Sequence, residues 1–162
     1  MSLKLTVDHL QALRSHVEHA YPNECCGLLL GRRAAQGHYD LVDIRAVENT
    51  WDEDVAKQLN DDSSLTQARR YAIAPQTMLA IMREAKQIGC DIIGIYHSHP
   101  DHPAVPSDCD RRLAWPQYSY LILSVHQGIC QDIQSWRLNE AHQFQPEAID
   151  LPSLSTPQTS TS

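Results

Sequence analysis

The chain has 162 residues and a formal net charge of −7 at pH 7, with no basic cluster, which argues against nucleic acid as its partner. Such a length fits one domain burying roughly two-thirds of its unfolded surface. No apolar run approaches about 18 residues and no charged-then-apolar leader opens the chain, so a soluble cytoplasmic protein with no membrane partner is expected.

From the N-terminus, Leu10, Leu13, Val17 and Ala20 recur at three- and four-residue steps and predict a helix over 7–20, with Thr6 a candidate N-cap. Its apolar stripe needs a sheet to pack on. The run from Glu24 to Gly31 is apolar and predicts a strand over 25–31, on which alternation puts Glu24 on the face of Cys26, Leu28 and Leu30. A carboxylate on a core-facing strand is a candidate catalytic group; the plainer reading is a residue ending the preceding helix and facing water. A second strand is expected over 39–47. Residues 49–70 are polar and weakly periodic, an unusually long connection for a compact domain. Either they border a substrate groove, with Trp51, Arg69 or Arg70 touching an extended tail, or they form a solvated loop. After a strand candidate at Tyr71–Ile73, Met78, Ile81, Met82 and Ala85 give the buried face of a helix over 75–88, which Gly89 ends.

The run from Asp91 to Tyr96 is β-branched and apolar, predicting a buried strand over 91–99 that Pro100 closes. A short helix starts at Ser107 and stops before Pro116, and strands over 118–125 and 130–137 make a hairpin turning at 126–128. From Pro146 onward the chain is rich in Ser, Thr and Pro, so 1–145 is read as the domain and 146–162 as a disordered tail. Helices interspersed with strands give an α/β (α+β) fold, a mixed β-sheet covered by helices on both faces. Five cysteines without a C-x-x-C read as reduced core residues, although Cys26 and Cys109, beside Glu24 and Asp110, could line a site. Of the histidines, His9, His16, His19, His38, His102, His126 and His142 read as surface or turn residues.

The chemistry concentrates in His97-Ser98-His99-Pro100, followed by Ser107 and Asp110. On a strand His97 and His99 share a face with Cα atoms roughly 6.5 Å apart, so two imidazoles can converge on one ion. Asp110 lies one turn on from Ser107, at the i, i+3 spacing that shares a helical face. Two histidines, one carboxylate and a position left to water make a catalytic rather than a structural zinc site, with one Zn2+ per chain. Taken singly, His-x-His is more often a polar strand face and Ser-x-x-Asp a helix cap. On a buried strand the histidines need a partner, and metal ligation offsets their desolvation. The water needs a base, for which Glu24 is the best candidate.

Glu24, then His97-Ser98-His99-Pro100, six residues, Ser107, two residues and Asp110 resembles the JAMM, or MPN+, zinc metallopeptidase signature, a distant Glu and H-[S/T]-H-P-x6-S-x-x-D. The segment from Tyr21 to Gly31 also resembles the first strand of the small prokaryotic JAB-domain members, and the resemblance runs to about residue 137. It implies the MPN fold with cytidine-deaminase-like layering, His97, His99 and Asp110 as zinc ligands, Glu24 as general base, and Ser107 as a hydrogen-bond donor to the oxyanion. It further implies hydrolysis of a peptide or isopeptide bond at the C-terminal tail of a ubiquitin-like protein, a sulfur carrier among the prokaryotic members.

Three rivals are weaker. A non-catalytic MPN scaffold or protein-binding module typically lacks a ligand, whereas every one is present here. Zinc deaminase chemistry calls for H-x-E and P-C-x-x-C, both missing. A structural zinc needs a fourth Cys or His, for which Cys109 is the only close candidate.

Overall fold

A computed structural model describes residues 1–51 and 71–152. In chain order the elements are β1 (Ser2–Lys4), α1 (Val7–Ala20), β2 (Cys26–Arg33), β3 (His38–Val47), α2 (Pro75–Gln87), β4 (Asp91–Pro100), α3 (Asp108–Arg112), β5 (Ser119–His126), β6 (Ile129–Leu138) and β7 (Phe144–Asp150). Helix α1 begins where the expected cap puts it. Thr6 Oγ1 accepts from His9 N–H and His9 Nδ1 accepts from Thr6 N–H, both at 3.1 Å, so two donors at the helix start are satisfied reciprocally. Helix α2 starts with Pro75 at its first position, where the missing N–H costs nothing. Gln127 and Gly128 both take positive φ in the β5–β6 turn, the twist a two-residue hairpin requires.

The sheet runs β1-β3-β2-β4-β5-β6-β7 and closes on itself, because β1 pairs in parallel with both β3 and β7. The β4–β5 pair is also parallel, and the remaining neighbours are antiparallel, which makes the sheet mixed as expected. Leu29, Ile93, Leu121 and Leu123 pack with Leu13 and Val17 of α1, whereas Leu28, Leu30, Ile92 and Ile95 pack with Ile81 and Ala85 of α2. Helices therefore cover both faces, and the two apolar layers are what drive closure. No helix among the described residues is long and apolar enough to cross a membrane.

Four expectations need correction. Residues 146–150 belong to β7, which pairs with β6 and β1, so the ordered fold runs past Gln145 despite the composition of the tail. Residues 71–74 form no strand: Thr50 N–H donates to Ala72 O at 2.9 Å and Ala72 N–H to Asn49 Oδ1 at 3.1 Å, an isolated link without a ladder. Met82 is exposed, because the α2 stripe that meets the sheet runs through Met78, Ile81 and Ala85 and leaves the next position about 100° round the helix. Trp51 is buried, only 3% exposed, and so is not a groove-lining contact for a bound tail. Arg69, Arg70 and most of the 49–70 connection lie outside the described residues, as do residues 153–162.

One feature of β4 escapes simple alternation. Leu29 pairs with Gly94 but Leu30 pairs with Ile92, so Ile93 is an extra residue, a β-bulge. It reverses the inside–outside parity of the strand. Ile93 turns to the α1 side while Ile95, and with it the histidines two and four residues on, turns to the α2 side.

Candidate metal centre

The C-terminal end of β4 delivers His97 and His99 on one face, with their Nε2 atoms 3.1 Å apart. Asp110, in the first turn of α3, brings Oδ2 to 3.4 Å from each of those nitrogens. With Nε2 unprotonated on both rings, the two lone pairs converge on a point where a cation can lie. The triangle also has the right size, since metal–ligand bonds of about 2.0–2.1 Å at tetrahedral angles separate ligand atoms by about 3.3 Å. The three atoms can hold one ion.

Their surroundings favour the protonation states that a metal needs. His99 Nδ1 lies 2.8 Å from Pro103 O, which fixes the proton on Nδ1 and leaves the Nε2 lone pair directed inward. His97 is fully buried and stacks on Tyr71, the ring centroids 4.4 Å apart. Burial, more than the opposing pull of Asp110, lowers the His97 pKa and keeps the ring neutral. Its Nδ1 is buried with no hydrogen-bond partner among the described residues. For Asp110, burial alone would raise the carboxyl. The His97 and His99 imidazoles facing it and the Ser107 N–H override that and hold it well below the usual carboxylate range. Neutral imidazoles and an ionised carboxylate are the ligand forms of these groups.

Ser107 is the N-cap of α3. Its Oγ accepts from Asp110 N–H at 3.0 Å while Asp110 Oδ2 accepts from Ser107 N–H at 2.8 Å, a capping box whose acidic member also faces the histidines. Because the Ser107 hydroxyl oxygen accepts in that bond, its proton remains available to donate.

Glu24 sits at the corner leading into β2 and is only 4% exposed, which overturns the reading that it merely ends a helix in water. Its Oε1 lies 4.0 Å from His97 Nε2, and Glu24, His97 and His99 form a cluster with ligand atoms within 4.8 Å of one another. Two carboxylates thus flank the histidine pair. The tighter triangle is the one with Asp110, and Glu24 stands farther from the histidine pair. Cys26, opposite His97 in the β2–β4 register, and Cys109, beside Asp110, are both buried. Burial, then the charges of Cys25 and Glu24, pushes the Cys26 thiol up, so it stays neutral and packs. His16 is half-buried rather than superficial, with Nδ1 2.7 Å from the Tyr96 hydroxyl.

Sequence reasoning did not find Tyr71, whose ring covers His97, or Asn49, whose Nδ2 donates to Glu24 O at 2.9 Å. Both are held there by contacts between distant segments and carry no local signal. Ser98 was visible only as the middle of the histidine pair.

The sequence matches the family described as prokaryotic homologs of the JAB domain over residues 6–139. A curated relative from Haloferax volcanii, named desampylase, is 31% identical over 127 residues, covering 75% of this chain and 80% of that protein. A second, from Thermus thermophilus and named a probable TtuB-protein conjugate cleaving protease, is 28% identical over 113 residues, covering 70% of this chain and 64% of that protein, less than two thirds of its length. Among solved structures, the solution structure of a protein from Desulfitobacterium hafniense aligns with a TM-score of 0.73 at 27% identity, covering 93% of this chain and 92% of that one.

Proposed function

As the chain belongs to the family of prokaryotic homologs of the JAB domain, we propose that it is a zinc-dependent isopeptidase or peptidase that cuts at the C-terminal tail of a ubiquitin-like protein. The observation that carries the reading is the triangle of His97 Nε2, His99 Nε2 and Asp110 Oδ2 with a buried Glu24 beside it. The names of the Haloferax and Thermus relatives support a conjugate of a ubiquitin-like protein as the substrate class, and a sulfur-carrier protein is the member of that class we favour.

In this reading His97, His99 and Asp110 hold one ion per chain. Zinc in such a site supplies Lewis acidity, which brings the pKa of water from about 15.7 towards 7 and polarises a carbonyl oxygen. Glu24 takes the proton from the attacking water and returns it to the leaving amine, from a buried position at the corner leading into β2. Ser107 donates its hydroxyl proton to the oxygen that gains charge, a contribution worth about 3 kcal/mol where comparable donors have been removed. The His99–Pro103 bond keeps the ligand ring from rotating. Five free, buried cysteines fit work in a reducing compartment such as the cytoplasm.

The test uses a ubiquitin-like protein joined through its C-terminal carboxyl to the side chain of a lysine peptide, with cleavage followed by intact mass. Glu24→Gln should keep stoichiometric zinc and lose about 10²–10⁴-fold in kcat. His99→Ala should lose the metal as well. A Glu24→Gln variant as active as the parent protein would overturn the assignment.

A further inference from the structure

The peptide unit that follows Glu24 is held in an unusual way. Its carbonyl, Glu24 O, accepts from Asn49 Nδ2 at 2.9 Å, and its N–H, that of Cys25, donates to Ser98 Oγ, also at 2.9 Å. Both polar ends of one peptide plane are therefore gripped by side chains rather than by the ladder. The regular pairing of β2 with β4 brings Cys26 opposite His97, so Cys25 falls opposite Ser98. One ladder bond persists there, from Ser98 N–H to Cys25 O at 3.0 Å. The reciprocal Cys25 N–H, which a continuing antiparallel ladder would aim at the Ser98 carbonyl, meets the Ser98 hydroxyl instead. At this point the chain leaves the sheet and Glu24 turns towards the histidines.

The two gripping residues are themselves fixed. Ser98 is fully buried between His97 and His99, so its hydroxyl is referenced to the same strand that carries the candidate ligands. Asn49 uses its other amide atom, Oδ1, to accept from Trp51 N–H and from Ala72 N–H, each at 3.1 Å. It therefore ties the Glu24 peptide to the segment whose Tyr71 stacks on His97.

We propose that Ser98 and Asn49 are positioning residues that clamp the Glu24–Cys25 peptide and so fix the Glu24 carboxylate relative to the His97–His99 pair. This rests on the reading of Glu24 as the general base. Neither residue touches the reacting atoms; both act through the orientation of the bond leaving the Glu24 Cα. A bland structural role would cost stability and leave catalysis by the folded fraction alone, whereas a positioning role appears in kcat of correctly folded, metal-loaded protein.

Zinc-loaded Ser98→Ala, Ser98→Thr, Asn49→Asp and Glu24→Gln are to be compared in the conjugate assay, with zinc content and melting temperature measured on the same samples. Asn49→Asp keeps an acceptor for Trp51 and Ala72 but loses the donor to Glu24 O. Ser98→Ala and Asn49→Asp should each lower kcat by about tenfold to 10²-fold, the scale of a misplacement of about 1 Å, with KM and zinc content unchanged. Ser98→Thr, which restores the hydroxyl, should recover most of that loss. Should Ser98→Ala fail to fold, Asn49→Asp tests the clamp from the opposite side. Retention of kcat within twofold by these variants while Glu24→Gln is inactive would overturn the clamp and leave the base intact. Loss of zinc in step with activity would show that Ser98 holds the ligand strand rather than Glu24, and would also overturn it. An active Glu24→Gln would instead remove the base assignment from which the clamp follows.

Discussion

One oxygen of Asp110 closes the first turn of α3 through Ser107 N–H and also faces both histidines, so the helix start and the candidate ligand set share an atom. The acid response follows from that shared environment. His97 has a folded pKa below 6.5, chiefly because of burial, and the half-buried His16 is shifted the same way by burial. Below 6.5 the unfolded chain takes up protons that the folded chain refuses, so acidification costs stability until the folded values are reached. Asp110 acts at lower pH: its folded pKa lies well below 3.8, so its contribution is complete above 3.8 and is lost as the pH falls from there. The melting temperature of metal-stripped protein should therefore decline from about pH 6.5 downwards, with a further decline below about pH 3.8. A melting temperature unchanged between pH 7 and pH 5 would contradict the burial of neutral His97.

Among elements, β7 is the one that composition hid most effectively, and its anchor is electrostatic. Arg137 of β6 pairs with Glu147 of β7, donates to Gly37 O at 2.9 Å and to Ser119 Oγ at 3.1 Å, and stacks on Tyr39 at 3.7 Å. Ser135 Oγ adds a bond of 2.8 Å to Glu147 Oε1. Arg137 and Glu147 are 4% and 6% exposed, so removing one charge strands the other in the interior. Glu147→Ala should cost about 3–5 kcal/mol, read as a shift in the urea midpoint. Zinc binding by the folded fraction should be unaffected, since β7 lies three strands from β4 in the sheet order. A shift worth less than about 1 kcal/mol would mean that the pair is solvated rather than interior.

At the scale of the whole molecule, what could be read in advance were the segments whose periodicity is long and whose ends are punctuated. Helix α1 spans Val7–Ala20 with Thr6 as its cap, and the β5–β6 hairpin turns where Gln127 and Gly128 stand, because both rest on local rules. The candidate site was legible for a similar reason: His97 with His99, and Ser107 with Asp110, are pairs set by local spacing within a strand and a helix start. Long-range features left no such trace. A three-residue β1 is too short to show a period, yet it closes the sheet. The extra residue at Ile93 shows only when the register with β2 is known, and the approach of Asn49 and Tyr71 to the site depends on two segments meeting across the fold.

Closure has a practical corollary for the order in which the chain can be written. Lys4 lies beside Asp150 in the β1–β7 pairing, so the first and last strands are neighbours. Residues 151–162, twelve positions with a contour length of about 40 Å, are more than enough to lead back from β7 to Met1 as a covalent bridge. A circular permutant opened in the exposed turn between Glu140 and Ala141 should fold and bind zinc with the affinity of the parent. If the permutant proved insoluble while the parent does not, the proximity of those two strands would not survive in solution.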